Sequence, residues 1–332
     1  MNERQFIDLL KRRATPRPGR SALPGLRQGI GDDCAVLAHT RRKDLLVTTD
    51  LFLEGIHFRR SWQTPDSLGH KALARGLSDI AAMGGTPRFV FLSLAVPRQN
   101  GQKGRKGQTG KPGKTGMKWL DDFLAGFFHL AALSKVVLAG GDTGASAAGL
   151  LADVVVVGEV PRGGAVLRSG ARPGDEIWVS GTLGTAAIGL AALQRGKNLR
   201  QSHAAFQAFC YPEPRLRIGS YLRRRKLASA MMDLSDGLSI DLARLCEASG
   251  VGAEIDAASL PLLAETPLHD ALHGGEDFEL LFTVPPDRSH KLPRSLGGVP
   301  LTRIGRITSG RKLSLMQGNR RLPLPILGFQ HF

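Results

Sequence analysis

Short apolar runs rich in β-branched residues alternate with helical patterns along most of this chain, and that alternation constrains its fold more than any other feature. A chain patterned this way is an α/β protein. In the first half, Leu45 to Thr49, Phe89 to Val96, Val136 to Ala139 and Ala152 to Val160 are predicted strands. Thr64-Pro65-Asp66 opens a helix, with proline at an early position and an acid in the first turn, and Gly84-Gly85 stops it after Met83. A second helix is predicted from about Leu120 to Leu133. The stretch from Pro161 to Gly174, rich in Gly, Pro and Arg, is the best domain boundary and divides the chain into units over 1–160 and 161–332. Beyond it the pattern predicts a strand from Glu176 to Ser180, helices from Thr185 to Gln194 and Leu238 to Ser249, a loop at Tyr211-Pro212-Glu213-Pro214, and strands near Ala230, Ala253 and Leu280.

With 332 residues, 42% of them hydrophobic, the chain can bury a core without staples. Its three cysteines, Cys34, Cys210 and Cys246, are too scattered for a disulfide framework or a zinc site, which fits a reducing cytoplasm. The N-terminal MNERQFIDLLKRRA reads as an amphipathic helix, not a signal peptide, and no run approaches membrane-spanning length. A formal charge of +16 raises nucleic acid as a partner, because clustered Lys and Arg bind phosphate backbones. Distribution argues against it. Seven of the positive charges fall between Arg98 and Lys118, a stretch with no acid and almost no apolar residue, which reads as a flexible basic insertion. Other basic clusters flank apolar segments and read as solvated faces. Within the insertion, Gly107 to Thr115 imitates a P-loop, but the first glycine would have to stand at position 108, which is Gln108.

Function is written in the acids. Six times an acid stands beside glycine or a hydroxyl residue at the end of a predicted strand or helix: Gly31-Asp32-Asp33, Thr48-Thr49-Asp50, Ser78-Asp79, Gly140-Gly141-Asp142, Asp233-Leu234-Ser235-Asp236-Gly237 and Gly274-Gly275-Glu276-Asp277. These hold nine of the 29 acids in a strongly basic protein. Magnesium wants an octahedron of oxygens, and gathered carboxylates need cations between them, while glycine lets backbone approach a phosphate. Each site alone also suits ordinary turn chemistry, and Ser235 or Asp236 also suits a helix N-cap. His57, seven residues after Asp50, reads alone as a structural histidine.

In order and wording these motifs resemble the thiamine-monophosphate kinase family almost end to end. The segments are GIGDDCAVL, TTDLFLEGIHF, LGHKALARGLSDIAAMGGTPR, LAGGDTG, LRSGARPGDEIWVSGTLGTAAIGL, MDLSDGLSIDLARLCEASGVGAEID, GGEDFELLFTV and GFQHF. The resemblance implies two α/β domains of the aminoimidazole ribonucleotide synthetase type, the N-terminal one pairing across a homodimer. It implies an enzyme that phosphorylates thiamine monophosphate with ATP and Mg2+, by direct in-line transfer, to give thiamine diphosphate. Carried over by position, Asp32, Thr48, Thr49, Asp50, Asp79, Asp142, Asp233 and Asp236 match metal-binding positions, with Asp50 and Asp236 expected to be essential for turnover. Gly141, Asp142, Arg168 and Ser235 match nucleotide contacts, and His57, Glu276 and Phe329 match substrate contacts. The chain departs from the family pattern at Arg75-Gly76, where Val-Asn is usual, at Gln330, where Asp is usual, near Leu124, where an aromatic commonly touches the nucleotide, and in the basic insertion.

Overall fold

Six strands form the first sheet: β1 (Leu26–Gln28), β2 (Ala35–Ala38), β3 (Lys43–Leu53), β4 (Thr86–Pro97), β5 (Val137–Ser146) and β6 (Leu151–Pro161), in the order β1-β2-β3-β6-β4-β5. The structure, a computed structural model, describes residues 26–28, 31–97, 114–197, 200 and 203–330. The predicted N-terminal helix and residues 98–113 of the basic insertion lie outside them. Along β6, buried and half-buried residues alternate strictly, as a strand with one face on a core requires. That core is built from Leu46, Phe52, Val90, Val154 and Val156 of the sheet, with Leu68, Leu73 and Leu77 of α1 (Pro65–Ala82) and Phe123 and Phe127 of α2 (Lys114–Ser134). The two helices touch backbone to backbone, since a Cβ on Gly69 would lie 1.8 Å from the Phe123 carbonyl oxygen and one on Gly126 1.8 Å from that of Asp66. Helix α2 starts earlier than predicted, inside the basic stretch. There Lys118 pairs with Asp122 at 2.6 Å and Trp119 stacks on Phe123.

The second sheet comprises β7 (Glu176–Ser180), β8 (Ala230–Leu234), β9 (Gly252–Asp256), β10 (Glu279–Val284), β12 (Val299–Thr308), β13 (Leu313–Gln317) and β14 (Arg320–Pro323). Their order is β14-β13-β9-β12-β7-β10-β8, and β11 (Ser295–Leu296) pairs with β12. Both β8 and β10 are buried along their whole length. One face packs Met232, Leu234 and Leu281 under α6 (Leu238–Ser249). The other packs Met231, Leu280 and Phe282 against Ile218 and Leu222 of α5 (Leu216–Arg224) and against Ala81 and Ala82 of α1. Helix α1 is therefore wedged between the two sheets, and its polar residues Lys71, Arg75, Ser78 and Asp79 are carried into the joint. Between β7 and α5 lie α3 (Thr185–Gln194) and α4 (Ala204–Cys210), and α7 (Leu268–His273) precedes β10.

The strands and helices predicted in both halves are present with shifts at their ends. Pairing is mostly antiparallel; among the described strands only β4–β5 and β9–β13 run parallel. The sequence pattern did not reveal α4, α5, β12, β13 or β14. Strands β12 and β14 mix their apolar residues with arginines on a half-solvated surface, and β13 is a short LSLMQ with polar residues between its apolar ones, so all three lack the dense apolar run that marks β8 and β10.

Candidate active site

Strand β2 ends its pairing with Ala35 opposite Val47, while β3 runs on to Leu53 against β6. The segment from Thr48 onward is thus free of β2 along one edge, and that edge faces α1 and the end of β8. Here the first-half acids meet the second-half ones. The turn after β8 carries Ser235, Asp236 and Gly237, and the loop from Gly274 to Phe278 folds onto it. The Glu276 N–H donates to the Ser235 carbonyl at 2.7 Å, and the Phe278 N–H donates to that of Leu234 at 2.8 Å. A Cβ on Gly275 would stand 2.6 Å from the Ser235 carbonyl oxygen, so this contact needs glycine. Near the C-terminal end of the chain, the Phe329 N–H donates to the Asp236 carbonyl at 3.1 Å.

A cavity of about 600 Å³ lies at this junction. Asp32, Thr48, Thr49, Asp50, His57, Asp79, Arg168, Asp233, Ser235, Asp236, Glu276 and Phe329 all border it. Gly141 and Asp142 do not. They sit on the exposed edge strand β5, where Asp142 is in register with Ser93 of β4 and accepts the Thr143 N–H at 2.8 Å. Beside these acids the lining includes the apolar side chains of Ile56, Trp62, Ala187, Leu190 and Ala191. His57 and Phe329 have ring centroids 6.1 Å apart, and His57 Nδ1 accepts the Leu53 N–H at 3.0 Å.

Among the acids, ligand oxygens of Asp33, Asp79 and Asp233 lie within 4.8 Å of one another. Burial pushes the Asp79 and Asp233 carboxyls well above their usual range, and their negative neighbours push them further, Asp233 acting on Asp79 and Asp33 on both. Burial, aided by Asp33, also raises Asp32 to about 6. Protein donors offset part of this strain. Thr48 Oγ1 donates to Asp79, Ser78 Oγ donates to Asp233 Oδ2 at 2.6 Å, and Arg168 grips Asp33 through Nη2 at 2.6 Å and Nε at 3.2 Å. Three crowded carboxylates with hydroxyls beside them form a hard oxygen donor set, which fits a magnesium-like cation and suits neither a soft metal nor an uncharged ligand.

The remaining acids divide by partner. Asp50 accepts from Arg75 Nε at 3.0 Å and Nη2 at 2.7 Å, and Glu276 accepts from the fully buried Lys71 at 2.7 Å. Arg244 Nη1 bridges Asp236 and Asp241. Asp241 is held up at about 7 by burial and by Asp236, and it accepts the N–H groups of Asp236 and Gly237, which shapes the turn. Asp277 lies in the last of the six acidic motifs, yet it serves the fold. It accepts the N–H groups of Gly184 at 2.7 Å and Ala186 at 3.1 Å, closing the start of α3, and burial raises it to about 7. Sequence reasoning did not single out Asp33, Arg75 or Lys71. Asp33 was visible as the second acid of Gly31-Asp32-Asp33 and Arg75 only as a departure from the family pattern, whereas no local signal marked Lys71; the burial of α1 sets both cations against acids.

Comparisons with known proteins agree with this layout. Residues 31–160 match the family of the AIR synthase related protein, N-terminal domain, and residues 172–317 match that of the C-terminal domain. The thiamine-monophosphate kinase of Escherichia coli (strain K12) is 37% identical over 327 residues, covering 94% of this chain and 94% of its own. That of Bacillus subtilis (strain 168) is 35% identical over 322 residues, covering 92% and 93%. The solved structure of AaThiL complexed with AMPPCP and TMP superposes with a TM-score of 0.79 at 31% identity, covering 100% of this chain and 97% of its own.

Proposed function

The chain belongs to the thiamine-monophosphate kinase family of AIR synthase related proteins, and on that premise we propose that it transfers the γ-phosphoryl group of ATP to thiamine monophosphate, giving thiamine diphosphate and ADP. The observation that carries this reading is a single cavity whose lining joins crowded carboxylates with apolar side chains and the neighbouring rings of His57 and Phe329. That relatives include one complexed with AMPPCP and TMP supports the choice of donor and acceptor.

An oxygen of the acceptor monophosphate forms the new bond to the γ-phosphorus while the bond from that phosphorus to the β–γ bridging oxygen breaks, and ADP leaves. The attacking oxygen is already anionic at neutral pH, so no strong base is needed; alignment and charge screening dominate. Magnesium supplies the screening when bound. Asp33, Asp79 and Asp233 would hold one ion, and Asp32, Thr48, Thr49, Asp50 and Asp236 line the places for further ones. Arg168 and Ser235 steady the nucleotide, and His57, Glu276 and Phe329 hold the thiamine end. The units over 1–160 and 161–332 act as two domains that close the cavity between them.

The open face of the first sheet supports a homodimer. Val47, Val157 and Phe89 lie in register across it, as do Thr49, Val155 and Phe91, and Phe89, Phe91, Leu51 and Val137 are exposed. Asp142 shares this face, so pairing of two copies would deliver Asp142 of one protomer to the Thr49 edge of the other. No helix among the described residues is long and apolar enough to cross a membrane, and we place the enzyme in the cytoplasm. Purified protein with ATP, magnesium and thiamine monophosphate should yield thiamine diphosphate, resolved by chromatography, and EDTA should stop it. No product at any magnesium concentration would overturn the reading.

A further inference from the structure

Helix α1 carries one cation into the middle of the cavity that the reading above leaves unused. Arg75 stands one helical turn from Lys71 and one from Asp79 on the wedged face of α1. Its side chain is only 15% exposed, yet it borders the cavity. Both of its short hydrogen bonds, from Nε and Nη2, go to the same oxygen, Asp50 Oδ1. The third nitrogen, Nη1, points across to Glu276, with Oε1 at 3.9 Å, too far for a hydrogen bond. Glu276 already has a close cation in Lys71, at 2.7 Å. The guanidinium therefore spans the gap between Asp50 and Glu276, and among the described residues no acceptor takes the Nη1 donors at bonding distance.

We propose that Arg75 binds the acceptor phosphate: its Nη1 edge takes a phosphate oxyanion of thiamine monophosphate lying between Asp50 and Glu276. The inference rests on the kinase reading. The two carboxylates alone would repel a phosphate there, and a planar guanidinium is the side chain whose fork matches both a carboxylate on one edge and a phosphate on the other. Asp50 anchors the fork by its Nε and Nη2, so the donor edge is oriented before the ligand arrives.

The test separates phosphate recognition from packing. Binding of thiamine monophosphate and of free thiamine is measured by calorimetry in EDTA, where the cations in the cavity are the chain's own, for wild type, Arg75→Val and Arg75→Lys. Wild type should prefer the monophosphate; Arg75→Val should lose about tenfold or more of that preference while keeping its thiamine affinity, and Arg75→Lys should retain part of it. An unchanged preference in Arg75→Val, an equal loss for both ligands, or no preference in wild type would each overturn the proposal. Failure of the underlying kinase reading shows separately, as no thiamine diphosphate formed by wild type with ATP and magnesium.

Discussion

Replacing Asp79 with asparagine should make the metal-free protein more stable and nearly inactive. Three carboxylates whose oxygens lie within 4.8 Å of one another repel by about 3 kcal/mol per charged pair at an effective dielectric constant of about 20. The folded protein escapes the cost of burying charge, and with it part of that repulsion, by keeping protons on Asp79 and Asp233, whose carboxyls burial first and negative neighbours second push well above their usual range. Asparagine keeps the volume and an acceptor for Thr48 Oγ1, and it removes the charge. With protonation already relieving part of the repulsion, the net gain should be on the order of 2 kcal/mol. For a chain of this length that corresponds to a melting temperature higher by roughly 3 °C in EDTA. Turnover should fall by about a hundredfold or more, because the charge that seats the cation at the reacting phosphates is gone. Thermal unfolding with and without magnesium, beside product formation, measures both. A variant that melts at or below wild type in EDTA would refute the repulsive cluster, and turnover within about tenfold of wild type would refute its role as an ion seat.

Asp50→Ala and Asp236→Ala should each abolish turnover with circular dichroism unchanged; near-normal activity in either would remove that residue from the metal set. Asp32 rises from 3.8 to about 6, and Asp79 and Asp233 rise well above the same starting point, so the folded form binds protons that the unfolded chain has released. Stability of the metal-free protein should accordingly fall as pH rises from about 4 through 6 and beyond, and magnesium should cancel the fall, as melting curves across pH with and without the ion would reveal. If Asp142 serves the cavity of a second protomer, mixing inactive Asp142→Ala and Asp236→Ala proteins under subunit exchange should restore about a quarter of wild-type turnover, since half of the dimers then hold one intact cavity. No recovery would place Asp142 in its own protomer's site or in none.

Much of the fold was legible in sequence because local pattern and tertiary role coincide. The helix opened by Pro65 and closed by Gly84-Gly85, the strand β7 and the helices over 185–194 and 238–249 are all specified by periodicity and breakers that act within a few residues. Acid beside glycine likewise marked the loops at Ser235-Asp236-Gly237 and Gly274-Gly275-Glu276 that meet at the cavity, although the same pattern at Gly140-Gly141-Asp142 falls on β5 away from it. Only the tertiary structure decided which acids share one ion seat. Asp33, Asp79 and Asp233 come from three separate elements, and no spacing along the chain encodes their 4.8 Å proximity. The same holds for Asp277, whose motif looked like a ligand and whose carboxylate closes α3 instead, and for Arg75, whose side chain meets Asp50 because α1 is wedged between two sheets. Local sequence sets what a residue can do within a turn or two; which charges it must face depends on packing between distant elements, and in this protein the chemistry lies there.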